Sequence, residues 1–535
     1  MVYRVKNIYA ICAFAAIGGG LFGFDISSMA GVLGTNAYKN YFGNPQGARQ
    51  GAITSAMPAG SLAGSLVSSY LGDYFGRKQA IQIGAIIWIL GSIVRSREKV
   101  LIGVAAYKQV PKMLAFGRII AGICVGITST LVPVYQSELA PKEIRGRMVS
   151  LQQWAITWGI LIQYFVQYGA SFYEGGPKNP KQGPAAFRIP WGVQIIPAAI
   201  LIGGLFFFPE SPRWLAVKDK WEQALRVLAD VHGNGDLNHP VVLAEYQEIE
   251  DVIRFEREEA ISSYAELAKP RILKRVILGM SIQMWSQLCG MNVMMYYIVY
   301  VMEGAGITDP LLPASIQYII NVVMTIPAII WMDRWGRRPT LLFGSFAMMS
   351  LLLISGSIQG AFGQHQPDPS DAVTWYMVNK ETQANAVVAC SYLFVATFAI
   401  TWGPVSWTMP AEVFPNKVRA MAVSLSTASN WACNCGLAFA VPPLLRTINW
   451  RMYMIFAAFN GAAFVHMFFT APETKGITLE EMDDVFDSGR PPWKTRSLVS
   501  RLDNLQKDIA AGNVKVDIGA ATGLRTEIHQ VASKE

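Results

Sequence analysis

The segment Gly72-Asp73-Tyr74-Phe75-Gly76-Arg77-Lys78 decides the fold, because a close copy returns 260 residues later as Met332-Asp333-Arg334-Trp335-Gly336-Arg337-Arg338. Both segments read Asp, two residues, Gly, Arg and a basic residue. A second pair has nearly the same offset: Glu138 stands seven positions before an arginine, and so does Glu412, 274 residues further on. Two matches at nearly the same offset predict a chain built from two related halves.

The apolar residues of the chain fall into long blocks. Of its 535 residues, 52% are hydrophobic and 15% are charged, against about 25% charged in a soluble domain. Blocks of about 20 residues match the ~30 Å hydrocarbon thickness that a spanning helix must cross. Twelve such spans are predicted, at about 8–31, 51–71, 79–95, 113–134, 148–168, 190–208, 275–300, 312–332, 340–360, 384–407, 420–445 and 450–470.

The fold class predicted from these blocks is an all-α membrane protein with twelve transmembrane helices in two six-helix halves. Between the halves lies a charged segment with a helical pattern in Trp221–Leu228, so short helices are expected there. The predicted divisions are an N-terminal bundle at 1–212, connecting helices at 213–274, a C-terminal bundle at 275–475 and a polar tail at 476–535.

The distribution of positive charge predicts the topology. The net charge is +8, and 31 of the 45 Lys and Arg residues fall in the termini and even-numbered loops. The odd-numbered loops hold 13, counting Arg95, and Arg118 lies within a span. Because basic residues concentrate on the cytoplasmic side, both termini are expected in the cytoplasm. The excess charge therefore indicates topology rather than nucleic-acid binding.

A buried acid and a buried base stand out within the first six spans. Asp25 interrupts the apolar run Gly18–Met29, and Arg118 interrupts span 4. A charged residue at the middle of a spanning helix costs about 2.5–3.5 kcal/mol on insertion scales, so it usually faces the bundle interior and has a partner. The two residues are therefore predicted to pair, either as a static ion pair or as a proton switch in which protonation of Asp25 releases Arg118.

Several motifs resemble those of the sugar porter family of the major facilitator superfamily, and the similarity extends to about residue 480. The Phe-Gly-Phe-Asp sequence ending at Asp25 is similar to fungal monosaccharide (hexose/xylose) transporters. The resemblance implies the twelve-helix fold, a plasma-membrane location and transport of a monosaccharide, and an acid at Asp25 is similar to that of proton-coupled members. The matching motifs are Gly72-Asp73…Gly76-Arg77-Lys78, Arg118…Gly122…Gly126, Pro209-Glu210-Ser211-Pro212-Arg213, Gln287-Leu288-Cys289-Gly290-Met291-Asn292, Asp333…Arg337-Arg338, Trp402-Gly403-Pro404-Val405-Ser406-Trp407 and Pro472-Glu473-Thr474-Lys475-Gly476.

The resemblance also implies a sugar site lined mainly by the second half. The physical chemistry agrees, because an amide both donates and accepts hydrogen bonds as a sugar hydroxyl does, and an indole adds an apolar face and one N–H donor. A single amide in a spanning helix is as often a helix–helix contact, which is the alternative for Asn430. The candidate sugar-binding residues are Gln153, Gln287, Asn292, Asn321, Trp407 and Asn434, with Phe398 and Trp431 as aromatic neighbours.

Two further groups of residues are candidates for gating. Tyr296 and Tyr297 are expected to bind sugar or to close the pathway as an aromatic gate. Charged residues at the cytoplasmic ends of the helices are expected to form a latch that closes in one state and opens in the other, with simple positive-inside anchoring as the alternative. The latch candidates are Asp73, Arg77, Glu138, Arg145, Glu210, Arg213, Asp333, Arg337, Glu412, Arg419 and Glu473.

Three departures from the family pattern leave the substrate open. Ser286 replaces the first of two usual glutamines, Ser406 replaces a usual proline, and the loop at 95–112 is about ten residues longer than expected. The function predicted is proton-coupled import of glucose, xylose or a related sugar. An energy-independent facilitator and a non-transporting sugar sensor are the alternatives. No enzyme activity, cofactor, metal or nucleic-acid partner is expected, so the partners are a monosaccharide, a proton and the lipid bilayer.

Overall fold

The fold is described from a computed structural model of the chain. Its described residues are 5–96, 110–258, 267–307, 311–365, 374–415, 418–477 and 482–497, apart from the single positions 34, 44, 46, 142, 177, 178, 180, 378, 379 and 488.

The first half contains six spans. Span 1 begins after Asn7, whose side chain accepts hydrogen bonds from the backbone N–H groups of Tyr9 and Ala10 and so caps the helix. The helices are Ile8–Ala15 with Ile17–Val32 for span 1, Ala48–Phe75 for span 2, Arg77–Ser96 for span 3, Val110–Leu139 for span 4, Arg145–Ser171 for span 5, and Ala185–Val193 with Ile195–Leu205 for span 6.

The second half repeats this arrangement, with breaks in spans 7 and 10. The break in span 7 lies at Gly290, whose φ of +97° is a conformation that favours glycine. The helices are Pro270–Leu288, Met291–Tyr296 and Ile298–Gly304 for span 7, Leu311–Trp335 for span 8, Arg337–Phe362 for span 9, Glu381–Ile400 with Trp402–Val413 for span 10, Arg419–Thr447 for span 11 and Arg451–Thr470 for span 12.

Shorter elements lie outside the spans. A helix Asn36–Phe42 and a two-residue hairpin, β1 (Gln364–His365) with β2 (Trp375–Tyr376), lie at one end of the bundle. At the other end, which we call the terminal face, Lys6 contacts Asp230 and Arg271 contacts Asp487. The helices at the terminal face are Pro212–Val217, Trp221–His232, Pro240–Glu258 and Met482–Asp487, with a 3₁₀ turn at Pro492–Ser497.

The composition of the spans agrees with a membrane protein. Within the described ranges, eight helical segments are long and apolar enough to cross a bilayer. The spans outside that set, namely 2, 5, 7 and 11, are rich in Gly, Ser, Gln and Asn, and they form much of the contact between and within the halves. Their lower hydropathy follows from facing other helices rather than lipid. The predicted twelve-helix fold is confirmed.

Glycines allow the spans of the first half to approach closely. A Cβ on Gly23 of span 1 would lie 2.0 Å from the carbonyl oxygen of Ile156 on span 5. A Cβ on Gly122 of span 4 would lie 2.2 Å from the carbonyl oxygen of Met57 on span 2. Small residues at such contacts let backbones pack directly against each other, so span 1, which carries Asp25, packs directly against span 5.

One sequence-based assignment is wrong in part. Arg95 was expected in the long outer loop, but it belongs to the last turn of span 3, and its side chain is fully buried. The helix continues to Ser96 because the arginine has partners inside the bundle. The remainder of the loop, 97–109, lies outside the described residues.

Candidate functional site

A buried ion pair joins spans 3 and 4 at the terminal face. Arg77 donates from Nε and Nη2 to the two carboxylate oxygens of Glu138, with both distances 3.1 Å. It also contacts Asp73 at 3.0 Å. The Ser211 hydroxyl donates to Glu138 from the end of span 6. The predicted pairing of Asp73, Arg77 and Glu138 is therefore present, and it is a fork-to-carboxylate contact of the strong kind.

The second half contains an equivalent ion pair, which is formed by the same atoms of the corresponding residues. Arg337 donates from Nε to Glu412 at 3.1 Å and from Nη2 at 2.6 Å, and it contacts Asp333 at 3.1 Å. Thr474 takes the place of Ser211 and donates to Glu412 at 2.7 Å. The repeat inferred from the sequence thus extends to individual hydrogen bonds.

Each arginine is positioned by a glycine and a second glutamate. Gly76 has a φ of +98° and Gly336 a φ of +90°, conformations that only glycine adopts readily. The turn at Gly76 directs the backbone N–H of Arg77 to Glu210, 3.0 Å away. The turn at Gly336 directs that of Arg337 to Glu473, 2.9 Å away. A Cβ at either glycine would lie within 2.5 Å of a glutamate oxygen.

The two halves meet at this face. The backbone N–H of Arg147, at the start of span 5, donates to Asp333 of the second half at 3.0 Å. A Cβ on Gly146 would lie 2.2 Å from Nη2 of Arg337. The other latch candidates lie nearby: Arg145 and Arg419 begin spans 5 and 11, and Arg213 lies in the helix Pro212–Val217. Sequence reasoning missed Gly146, although it directly follows Arg145, the last residue of the repeated motif.

Asp25 lies at the centre of the first half and contacts two arginines. Its Oδ2 is 3.0 Å from Nη2 of Arg118, and its Oδ1 accepts a hydrogen bond from Nη1 of Arg95. All three side chains are fully buried. The predicted contact between Asp25 and Arg118 is present. The expectation that Arg118 is the one strong basic partner is wrong, because Arg95 is the second.

Arg95 is held by a set of contacts from spans 3 and 6. Its Nη2 donates to Gln194 at 2.8 Å and to Ser92 at 3.3 Å, and its guanidinium lies 5.4 Å from the Trp88 ring centroid. Trp88, Ser92 and Arg95 are spaced i, i+4 and i+7, so the helical period could have indicated one shared inward face.

An amide cluster lies between spans 7 and 11. Gln287 donates to Asn430 at 2.6 Å, and it accepts from Asn434 at 3.1 Å and from Asn292 across the break in span 7. The structure therefore brings together three of the predicted sugar-binding amides. Asn430, for which helix packing was the alternative, belongs to the same cluster.

Two predicted residues meet across the halves. Trp407 of span 10 donates from its indole nitrogen to the side-chain oxygen of Gln153 on span 5, 3.2 Å away. Phe398 lies close by, since a Cβ on Gly403 would lie 3.2 Å from both its ring and the Gln153 amide. The break of span 10 at Thr401 places these side chains together.

Trp431 joins the amide cluster to the first half. Its indole N–H donates to the Ser129 hydroxyl of span 4 at 3.1 Å. Its ring meets Phe22 of span 1 edge to face, with centroids 4.8 Å apart. Since Phe22 is three residues before Asp25 and Trp431 follows Asn430, the acid and the amide cluster are linked through one aromatic pair.

The remaining predicted residues lie beside the cluster without joining its hydrogen bonds. Asn321 of span 8 is buried, with its nitrogen 4.0 Å from Sδ of Met295. The Tyr297 hydroxyl donates to the carbonyl of Ala438 at 2.9 Å. Tyr296 is buried next to it, with ring centroids 6.2 Å apart. Both tyrosines thus lie at a second interruption of span 7, between the helices Met291–Tyr296 and Ile298–Gly304.

Several buried amide atoms have no hydrogen-bonding partner within the described part of the chain. They include Nδ2 of Asn430, Oδ1 of Asn321 and both amide atoms of Gln152. A buried polar group left unpaired costs about 1–3 kcal/mol. Gln152 was missed by sequence reasoning, which considered only its neighbour Gln153.

Comparisons with known proteins show which family the chain resembles. Residues 11–486 match the family described as "Sugar (and other) transporter". The chain is 60% identical to MFS glucose transporter mfs1 of Aspergillus flavus, over 96% of each protein. It is 42% identical to a high-affinity glucose transporter of Kluyveromyces lactis, over 93% of this chain and 88% of that protein.

A solved structure shares the architecture. The proton:xylose symporter XylE of E. coli, bound to 6-bromo-6-deoxy-D-glucose, superposes with a TM-score of 0.75 and 27% identity. The match covers 90% of this chain and 99% of XylE.

Proposed function

The chain belongs to the sugar transporter family of the major facilitator superfamily, and from that premise we propose that it imports a monosaccharide by coupling it to protons. Import proceeds across the plasma membrane by alternating access of the two halves. The terminal face, with both termini, is cytoplasmic. Like its relatives, the chain is a membrane-spanning transporter and not an enzyme.

The observation that carries proton coupling is the burial of Asp25 between guanidinium groups. Its carboxyl group is fully buried and contacts Arg118 at 3.0 Å. Arginine stays charged, so the site always holds a cation whose interactions depend on whether Asp25 is ionised. Protonation of Asp25 removes the anion that holds spans 1 and 4 together. The first half is then free to rearrange.

The link from the acid to the sugar runs through spans 1 and 11. Protonation of Asp25 alters how span 1 sits against span 4, and Phe22 transmits that change to Trp431. Trp431 adjoins Asn430, which accepts from Gln287. Sugar binding and proton binding therefore act on one packed unit, which is the requirement for a coupling free energy between two sites.

The sugar class rests on the amide cluster and on the relatives. Gln287, Asn292 and Asn434 present neutral donors and acceptors, with Trp407 supplying an indole, and these suit the hydroxyls and C–H face of a hexose or pentose. The relatives are named as glucose transporters, and XylE as a xylose symporter. Glucose is the first substrate to test, with xylose and galactose as competitors.

The contacts at the terminal face act as the latch. Arg77 with Glu138 and Arg337 with Glu412 hold the ends of spans within each half. The bond from Arg147 to Asp333 holds the halves to each other. We assign this arrangement to a state closed on the cytoplasmic side, and opening there requires these contacts to loosen.

The test is uptake of labelled glucose into proteoliposomes with an acid exterior. We expect sugar-dependent proton entry and uphill accumulation that a protonophore abolishes, since one charge crossing 100 mV supplies about 2.3 kcal/mol. Asp25→Asn should abolish both while leaving sugar exchange measurable. Asp236→Asn, in an exposed turn, is the matched control. Undiminished accumulation by Asp25→Asn rejects the proposal.

An energy-independent facilitator is the second candidate, and the contact between Arg95 and Asp25 favours it. With two arginines beside one acid, the ionised form of Asp25 is doubly compensated, so a permanently charged Asp25 is consistent with these contacts. A facilitator would equilibrate glucose without accumulation and without proton entry. The same uptake measurement on the unmodified protein therefore distinguishes the two candidates.

A further inference from the structure

The proposed proton coupling through Asp25 and Arg118 gives no role to the second arginine, Arg95. Among the described residues, Arg95 alone donates an aligned hydrogen bond to the Asp25 carboxylate. Oδ2 of Asp25 lies 3.0 Å from Arg118 but accepts no aligned hydrogen bond from the described residues. Nη2 of Arg118 instead donates to the carbonyl of Thr54 on span 2, 3.4 Å away. Asp25 is therefore bound more specifically to span 3 than to span 4.

The surroundings of Arg95 form a built site. Its Nη2 is fixed by Gln194, whose own nitrogen donates to the carbonyl of Phe24 at 3.2 Å. The carbonyl of Gln194 accepts from the Trp88 indole at 2.9 Å. A Cβ on Gly117 would lie 2.7 Å from Cγ of Arg95. The glycine next to Arg118 thus makes room for the other arginine.

We propose that Arg95 is a positioning residue of the coupling site: it holds Asp25 ionised in this state, and it sets the pH at which transport responds to protons. This proposal rests on the proposed function. Its new element is that span 3, together with its partners on span 6, controls the protonation of Asp25.

The net charge of Asp25, Arg95 and Arg118 depends on whether Asp25 is protonated. With Asp25 ionised, the three side chains carry a net charge of +1. With Asp25 protonated, they carry +2 in a space closed to water, because neither guanidinium loses its proton. Two cations without an anion repel one another strongly in a medium of low polarity. Protonation therefore has to be accompanied by separation of the two arginines, which makes it a driving step for movement of span 3 relative to span 4.

The other groups near the acid do not alter this balance. Span 5 presents glycine contacts and span 6 presents the neutral Gln194. From span 7, the phenol of Tyr296 is the titratable group that interacts with both Asp25 and Arg118. Tyr38 and Tyr297 interact with Arg118 alone. All three are neutral phenols at physiological pH.

The test compares the pH dependence of glucose uptake in Arg95→Gln, Arg95→Lys and the unmodified protein. Arg95 is one of the two cations that compensate the ionised Asp25 carboxylate, and without it Arg118 alone opposes protonation. Removing Arg95 should therefore move the midpoint of uptake to higher pH. Arg95→Lys should keep the midpoint within a few tenths of the unmodified value. Ser96→Ala, the next position on the helix, is the control.

A thermodynamic cycle covers the case in which Arg95→Gln folds poorly. Asp25→Asn leaves two buried arginines without an anion and should lower the melting temperature in detergent. Adding Arg95→Gln to Asp25→Asn removes one of those cations and should restore part of the loss. Additive losses in the double variant would show that the two residues do not act as a pair.

The outcomes separate this proposal from the proposed function. If the unmodified protein moves protons with sugar and the Arg95→Gln midpoint is unchanged, the role of Arg95 is overturned and proton coupling stands. If the unmodified protein moves no protons, the proposed function fails, and the stability cycle still decides whether Arg95 is the partner of Asp25.

Discussion

Trp407 donates a hydrogen bond to Gln153 across the boundary between the two halves of the molecule, with 3.2 Å between the indole nitrogen and the amide oxygen. One residue belongs to span 10 and the other to span 5, so their distance has to change when the halves move. Both also have the chemistry to bind sugar. In the proposed mechanism, this bond links closure of the halves to occupation of the sugar site.

Trp407→Phe keeps an aromatic ring, although a smaller one than the indole, and removes this donor. A hydrogen bond of this kind contributes about 0.5–1.5 kcal/mol, so the KM for glucose should rise by about two- to tenfold, with a smaller change in maximal rate. Trp402→Phe is the control, because its indole donates to Ser345 and Leu341 of span 9, within one half. An equal rise in KM in both variants would contradict a specific role for Trp407.

Glu138→Gln tests the buried pair at the terminal face. The change keeps the shape but leaves the Arg77 guanidinium without its carboxylate, and breaking a buried pair costs about 3–5 kcal/mol. We expect a clearly lower melting temperature and faster hydrogen exchange at the ends of spans 3 and 4. Glu412→Gln should behave alike, because Arg337 makes the same contact in the second half.

The control for this prediction is Glu222→Gln. Its pair with Arg226 lies on the surface, with the two side chains 55% and 68% exposed, and such pairs contribute about 0–1 kcal/mol. Its melting temperature should stay close to that of the unmodified protein. If Glu138→Gln melts no lower than Glu222→Gln, the buried pair does not hold the terminal face.

His232 gives a pH dependence that is independent of Asp25. Its Nε2 lies 2.8 Å from the carbonyl of Leu139, at the end of span 4, and its Nδ1 contacts the carboxylate of Glu245. Both ring nitrogens face acceptors, which suits the doubly protonated ring. Burial alone would lower the pKa of His232, but the Glu245 carboxylate and these hydrogen bonds outweigh burial and raise the pKa above 6.5.

The sign of the effect follows from this raised pKa. The stabilisation is fully present below the unfolded value of about 6.5, and it is lost as the pH rises through the higher folded value. We therefore expect amide protection in Trp221–His232 to fall as the pH rises above 6.5. His232→Gln should show weaker protection with little pH dependence, and an unchanged pH profile in that variant would contradict the assignment.

Sequence patterns gave the fold and part of the site. Length and hydropathy predicted the twelve spans, and the repeat at Asp73 and Asp333 predicted the two halves. The contact of Asp25 with Arg118 followed from the cost of burying either charge alone. Arg95 was misassigned because it occupies the last turn of span 3, where composition alone does not separate a snorkelling loop residue from an inward one.

Other features depended on three-dimensional contacts that no local pattern encodes. The bond from Trp431 to Ser129 joins residues 302 positions apart, and the bond from Arg147 to Asp333 joins two halves through a backbone amide. Gln152 resembled its neighbour Gln153 in sequence but faces Gly19 of span 1, where a Cβ would lie 2.5 Å from its amide oxygen. When two adjacent residues are chemically alike, helix packing decides which helix each of them faces.

Gly146→Ala tests whether the terminal face has to open for transport. The new methyl group would lie 2.2 Å from Nη2 of Arg337 and 2.4 Å from Oδ1 of Asp333. Arg337 cannot move away freely, because Glu412 holds both its Nε and its Nη2. The substitution should therefore separate the halves at this face and favour the open state.

The measurement for Gly146→Ala is hydrogen exchange at the starts of spans 5 and 9, together with glucose exchange and net uptake. Exchange of amide hydrogens should accelerate there, and net uptake should fall because the closed state is required in each cycle. Gly169→Ala is the matched control on the same helix, since a Cβ there meets nothing within 4 Å. Equal amide exchange in the two variants would mean that the contact between Gly146 and Arg337 does not hold the halves together, and the latch would then have to act within each half alone.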